Sequence, residues 1–279
     1  MDNKISKRKF WGVLLGIAAV IYLSPLYLVL VNSFKTNREY MLSMISFPSG
    51  FNISDSYLAA IKQIDYYKLF GNSIYVLLFA LAGIVLFGSM TAYKLCRVSG
   101  RLSTIIFFIF LSCLIIPFQG LMIPLIKMLA SFHLVNTLTG LGIVNLVMIT
   151  PVVIFMYHGF IKTIPYEIEE SARIDGANGY FVFFRIIFPL LRSITLTVLT
   201  LFGLVIWNDF LMPLLILQKS SKYTLPLGVT IFFKESSNRP SEWPAIYAAL
   251  VISSAPVMIF FFCMQKYMVS GIASGAVKG

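Results

Sequence analysis

An all-α integral membrane protein with six transmembrane helices is the fold class that this sequence predicts, and three observations predict it. The chain is 58% hydrophobic and only 12% charged, with a mean hydropathy of +0.87. Soluble domains carry about 25% charged residues, so there is too little polar surface here to cover a globule. The apolar residues fall into six runs near 10–34, 72–95, 103–125, 141–160, 194–217 and 244–268. Each is about the 20 residues needed to cross a hydrocarbon core of about 30 Å. Finally, the net charge is +11, and although Lys and Arg also occur in the longer loops, the clearest short basic segments, Lys4 to Lys9 and Lys94 to Arg101, stand at run ends. That fits Lys and Arg held on the cytoplasmic side better than nucleic-acid binding.

The first run follows the basic segment 1–9, with Lys4, Lys7, Arg8 and Lys9. It is longer than the 7–15-residue core of a signal peptide, which predicts an uncleaved first span with its N-terminus cytoplasmic. Residues 35–68 form a mixed-charge loop on the far side. The second run ends at a short basic turn, Lys94, Arg97 and Arg101, which belongs in the cytoplasm. The third contains Pro117 and Pro124, and the fourth Pro151; each proline frees a carbonyl that neighbouring helices or an aqueous cavity must satisfy. Between the fifth and sixth runs lies a second outer loop, 218–243. An even number of spans returns the small-residue tail, 269–279, to the cytoplasm. The expected division is therefore a cytoplasmic N-terminus 1–9, a transmembrane domain 10–268 and a cytoplasmic tail 269–279.

Within the loop 161–193, between the fourth and fifth runs, Pro165 to Ala177 is a polar, acidic island in an otherwise apolar chain. Pro165 suits a first helical turn, and Glu167, Glu169 and Glu170 suit the positive end of the helix dipole. Gly176 or Gly179 can end that helix at φ > 0. Tyr180 to Ile187 reads as a second, aromatic-faced helix, halted by Pro189. Two short helices with a turn between them form a surface that a partner in water can grip.

Glu170-Ser171-Ala172, three residues, Gly176, nine residues, then Ile186-Ile187-Phe188-Pro189 resembles the EAA motif of permease subunits of binding-protein-dependent ABC importers. The family pattern is Glu-Ala-Ala, three residues, Gly, nine residues, Ile-x-Leu-Pro; this chain differs by Ser171 and Phe188. Asn72-Ser73, Ala92-Tyr93 with Arg97, Ile123-Pro124-Leu125, Asn136-Thr137, Trp207-Asn208-Asp209 and the tail Gly275 to Gly279 extend the resemblance to the carbohydrate branch, and within it to the maltose-type second permease. The resemblance implies an ABC type I importer permease in a bacterial-type cell membrane. It implies partners: a second homologous permease, two ATPase subunits, an extracytoplasmic substrate-binding protein and membrane lipid, with no nucleic acid. It makes 161–193 a coupling loop docked in a cleft of the ATPase, through Glu169, Glu170, Ser171, Ala172, Arg173, Asp175, Gly176 and Ala177. Glu169, Glu170 and Asp175 would meet basic groups, Arg173 a partner acid, and Ala172, Ile168 and Ile174 would give an apolar footing.

The chain carries no Gly-x4-Gly-Lys-Ser/Thr phosphate loop, no Gly-x-Ser-x-Gly and no His-Glu-x-x-His. No catalytic residue, metal site or cofactor is expected on it; ATP and Mg belong on the partner ATPase. Its three cysteines, Cys96, Cys113 and Cys263, make no disulfide framework. Asp209 is the one acid inside an apolar run, where a charge at the bilayer centre costs about 2.5–3.5 kcal/mol. Asn208 and Asp209 are therefore the candidate lining of a substrate path, with a structural cap as the plainer reading of Asp209. The expected function is entry of a sugar or oligosaccharide, with the same importer carrying glycerol phosphate, or an ion-coupled secondary transporter, as alternatives. A membrane-embedded enzyme would need a polar cluster that the runs lack.

Overall fold

The computed structural model describes residues 2–50, 53–239 and 242–276; of these, the side chains of 2–10, 54 and 266–276 are not described. The basic cluster Lys4 to Lys9, Lys266 and the tail residues 277–279 thus lie outside the description of side chains or of the chain altogether.

The chain divides into two compact units. The first holds residues 1–67 and 228–256. It begins with α1 (Asp2–Ser33), in which an 18-residue apolar window inside Trp11–Ser33 has no buried residue, while Val31, Asn32 and Ser33 at its end are buried. A long helix whose apolar surface is largely uncovered by protein has the form of a lipid-facing span. At its end the chain turns inward. Lys35 is fully buried and donates to Asn32 Oδ1 at 2.9 Å and to the Ser43 carbonyl at 2.8 Å. The short helix α2 (Asn37–Leu42) opens on a capping box, with the Glu39 amide donating to Thr36 Oγ1 and the Thr36 amide to Glu39 Oε2. Glu39 Oε1 also accepts from the Ser49 amide and hydroxyl. Tyr40 of α2 stacks on Trp243 at 5.9 Å. Helix α3 (Ile53–Gln63) completes the segment, with Ser56 Oγ donating to the Lys35 carbonyl.

The second unit holds residues 68–227 and 257–279. Its long rods are α4 (Tyr66–Arg97) and α7 (Leu138–Ile161). They meet through small residues: a Cβ at Gly88 would lie 2.8 Å from Val153 Cγ1. Helix α5 (Arg101–Cys113) lies on α7, with Phe107 stacked on His158 at 4.1 Å. Tyr157, fully buried, donates from α7 to Thr195 Oγ1 of α10 (Arg192–Trp207) at 3.0 Å.

The third apolar run is not one helix. It breaks after Cys113 and resumes as α6 (Phe118–Ser131), bent by 102°. Pro117 stands at the N-cap of α6 with extended backbone, and it forces Ile116 out of the helical region. Pro124 sits inside α6 without ending it. The fifth run also breaks, between α10 and α11 (Leu211–Ile216), at Asn208 to Phe210. Helices α12 (Leu225–Ser236) and α13 (Trp243–Ala276) follow. Among the described residues four continuous helices are long and apolar enough to cross a membrane, and counting two bent pairs as one span each gives six.

Three polar residues hold the segment after α11. Asn136, in the left-handed region at φ 57°, donates its amide to the Ile216 carbonyl at 2.8 Å and accepts from the Gln218 and Lys219 amides through Oδ1. Asn72 Nδ2 donates to the Ser221 and Tyr223 carbonyls, and Ser73 Oγ accepts the Leu225 amide at 2.8 Å. The Asn-Ser pair and Asn136 of the Asn-Thr pair are thus loop anchors, while Thr137 caps α7 by accepting the Gly140 amide.

Replacing Gly88 by Leu should lower stability by about 1–3 kcal/mol through overpacking against Val153, whereas Gly12→Leu, which faces open space, should not. Thermal unfolding in detergent measures both. A pH effect follows from Glu39. The Ser49 hydroxyl, then the Thr36 and Ser49 amides, hold its carboxyl down at about 2. A depressed carboxyl stabilises the fold above its unfolded value near 4.5 and loses that contribution as pH falls through about 2. In a protein whose other two tryptophans are Phe, Trp243 fluorescence should report loosening of α2 across that window, and Glu39→Gln should remove the transition.

Candidate functional site

The loop after α7 folds as two helices with a turn between them. The first is α8 (Glu167–Ile174), with Glu167, Glu169 and Glu170 in its first turn. It ends at Asp175, and Gly176 takes φ +83°, the conformation a side chain would strain. Asn178 then caps the next helix, accepting from the Phe181 amide at 2.9 Å.

This second helix, α9 (Gly179–Leu190), runs past Pro189 instead of stopping before it. Residues Val182–Ile187 adopt a π turn, in which the Phe188 amide reaches back to the Phe183 carbonyl. Proline offers no N–H to the carbonyl four residues earlier and its ring crowds that oxygen; the wider turn accommodates both. The direction changes only after Leu191, where α10 leaves at 71° to α9.

Beneath α8 lies a buried polar cluster. The Glu169 carboxylate is fully buried. Arg97 Nε donates to its Oε1 at 2.6 Å, and the Tyr93 hydroxyl donates to its Oε2 at 2.6 Å. Arg97 Nη2 also donates to the Ile164 carbonyl at 2.9 Å, just past the end of α7. Tyr166 lies under both guanidinium groups, 5.8 Å from Arg97 and 5.9 Å from Arg173. Tyr93 also packs on Phe183 of the π turn at 5.2 Å.

Glu169 is therefore corrected as a docking residue: its two oxygens belong to α4 and are withheld from any partner. The other acid of the pair, Glu170, faces out, as do Ser171, Asp175 and Gly176; Ala172 and Ala177 are half-buried. Arg173 is turned partly inward. It lies 3.9 Å from Glu169 and donates to the Tyr166 hydroxyl at 3.4 Å, with half its side chain exposed. Between α8 and α9 opens a groove of about 510 Å³ lined by Ala172, Asp175, Gly176, Ala177, Asn178, Phe181 and Ile186. Phe181, in the groove lining, and Ile174 (82% exposed) and Tyr180, on the same two helices, are all exposed apolar side chains. Sequence reasoning named Ile168, Ala172 and Ile174 as the apolar footing and did not use Tyr180 or Phe181; their place in the aromatic face of the second helix was the available signal.

The candidate path residues sit at the break between α10 and α11. Asn208 folds back, donating to the Leu204 carbonyl at 2.9 Å. Asp209 Oδ1 accepts the Met212 amide at 3.2 Å, the capping role, while its Oδ2 is shut from solvent with no hydrogen-bond partner. Trp207 is buried beside Phe70. Among the described residues no group of three His, Cys, Asp or Glu is placed to hold a metal ion.

A family model described as "Binding-protein-dependent transport system inner membrane component" matches residues 84–274, more than half of the chain. The chain is 37% identical over 277 residues to the "Probable starch degradation products transport system permease protein AmyC" of Thermoanaerobacterium thermosulfurigenes, covering 99% of each chain. It is 34% identical to the "Melibiose/raffinose/stachyose import permease protein MelC" of Bacillus subtilis, over 96% of this chain and 95% of that one. Its fold is similar to a chain of a bacterial ABC transporter involved in the import of the acidic polysaccharide alginate. The TM-score is 0.80 at 22% identity, over 94% of this chain and 97% of that one.

Replacing Arg97 by Ala should strand the buried Glu169 charge and cost about 3–5 kcal/mol. A fall in the unfolding midpoint of the detergent-solubilised protein, larger than for Arg185→Ala at an exposed position, is the expected result.

Proposed function

The chain belongs to the family of binding-protein-dependent transport system inner membrane components, and from that premise we propose that it admits a sugar or oligosaccharide to the cell as one permease of an ATP-driven importer. It is a multi-pass membrane protein and a transport subunit, not an enzyme. The cargo reading is supported by relatives whose names concern starch degradation products and the melibiose, raffinose and stachyose group. A second homologous permease, two ATPase subunits and an extracytoplasmic binding protein complete the machine in this reading, and ATP with Mg is bound and hydrolysed on the ATPases.

The observation that carries the coupling role is the α8–α9 groove with its rim. A loop between apolar helices leaves Ile174, Tyr180 and Phe181 uncovered on the two helices that enclose a depression lined by Asp175 and Asn178 as well as Ala172, Phe181 and Ile186. Exposed apolar surface framed by charge is the form of a protein–protein contact. Glu170 and Asp175 supply the charges that steer and orient a basic partner; the apolar residues supply the buried contact. On this reading the loop, both termini and the basic turn after α4 face the cytoplasm. Asp209 Oδ2, without a protein partner, is the candidate acceptor for a sugar hydroxyl on the path between the two permeases.

Glu170→Lys reverses an exposed charge, and Gly176→Val strains the φ +83° turn. Each should reduce co-purification of the ATPase by about 10-fold or more, and abolish sugar uptake in proteoliposomes, while membrane insertion stays normal. Wild-type recovery of ATPase with both variants refutes the docking assignment.

A further inference from the structure

The mechanical problem in the proposed function is how a push on an eight-residue helix reaches the membrane. By chain connection α8 is joined only through two irregular turns, 162–166 and 175–178. The second includes Gly176 in the left-handed region, so it resists bending weakly. A displacement of α8 passed through these turns alone would be partly lost as local flexing.

Side chains supply a stiffer connection, and it leads to a helix that is not a chain neighbour of the loop. Tyr93 and Arg97 stand four residues apart on one face of α4, in its last turns. Their two hydrogen bonds to Glu169 are both 2.6 Å, the length of charge-assisted contacts, and both acceptor oxygens are buried. The same two residues collect the rest of the loop: Arg97 takes the Ile164 carbonyl and faces the Tyr166 ring, and Tyr93 packs on Phe183 of α9. The end of α7, α8 and α9 therefore all converge on one turn of α4.

Helix α4 is 32 residues without a proline, about 48 Å of continuous rod at 1.5 Å per residue. Near its other end Asn72 and Ser73 grip the backbone of 221–225. Movement imposed at Arg97 is thus delivered at the far end of the same helix to the segment that follows α11.

We propose that Glu169 is a positioning residue which, through Arg97 and Tyr93, makes α4 a rigid strut of the coupling loop, so that α8 and α4 move as one body when a partner pushes the loop. The proposal rests on the docking reading of α8 and α9 given above, and goes beyond it by naming the helix that receives the push.

The test uses the complex of this chain with its ATPases and companion permease. Cys96, Cys113 and Cys263 are first replaced by Ser, and spin labels are attached at Leu86→Cys on α4 and Glu167→Cys on α8, both exposed. The distance between the labels is read without nucleotide and with ATP trapped by vanadate. Helix displacements in switching proteins run to about 1–2 Å or more. In the otherwise native chain the distance should be the same in both states to within about 1 Å. With Glu169→Gln it should shift by about 2 Å or more between states, with the ATPase still co-purifying and ATP-driven uptake down roughly 10-fold. If Glu169→Gln does not assemble, Tyr93→Phe, which keeps the ring on Phe183 and removes only the hydroxyl, is read the same way. A distance that changes with ATP in the native chain overturns the strut. So does a distance that stays fixed in the variants. Failure of the docking reading looks different: the wild-type chain holds no ATPase, or Glu170→Lys holds it as well as wild type.

Discussion

One carboxyl side chain with no access to water, paired with an arginine, sets the architecture of the loop. A buried carboxylate costs several kcal/mol unless its oxygens are met by donors of good geometry. Glu169 is met by the Arg97 guanidinium and the Tyr93 hydroxyl, both from α4. Because α8 repeats every 3.6 residues, fixing Glu169 inward also fixes what points outward. Arg173, one turn on, is drawn toward the same side, and Glu170 and Ile174 are turned toward solvent. The surface offered to a partner is the complement of the surface consumed by the clamp.

The same rule, that buried polar groups must be satisfied within the protein, shapes the rest of the second unit. Where the backbone leaves regular helix after α11, Asn72, Ser73 and Asn136 take up its amides and carbonyls. Where proline removes a donor, the chain responds in three ways: a sharp break at Pro117, continuation through Pro124, and a π turn ahead of Pro189. The difference lies in what surrounds each proline. At Pro189 the widened turn buries Val182, Phe183 and Ile187, so packing retains a helix that propensity alone would end.

Much of the site was legible. The acidic first turn of α8, the glycine that ends it and the aromatic face of α9 were all readable, though Pro165, expected in the first turn, instead precedes the N-cap Tyr166. Tyr93 and Arg97 were visible as part of a shared pattern. Their job was not. Glu169 and Glu170 are adjacent and chemically identical, and no local property says which is buried; that depends on an arginine 72 residues away in sequence. The break in the third run was equally hidden, since two prolines stood in it and only one ended a helix.

Composition, run length and charge placement determined by themselves that this is a multi-pass helical membrane protein with one acidic, grippable loop, because the cost of putting polar groups in hydrocarbon acts on each residue whatever its neighbours. The tertiary structure alone decided which acid is exposed, which proline bends the chain and which helix the loop leans on. Those outcomes turn on pairings between groups distant along the chain, where burial and hydrogen bonding are settled by which surfaces meet.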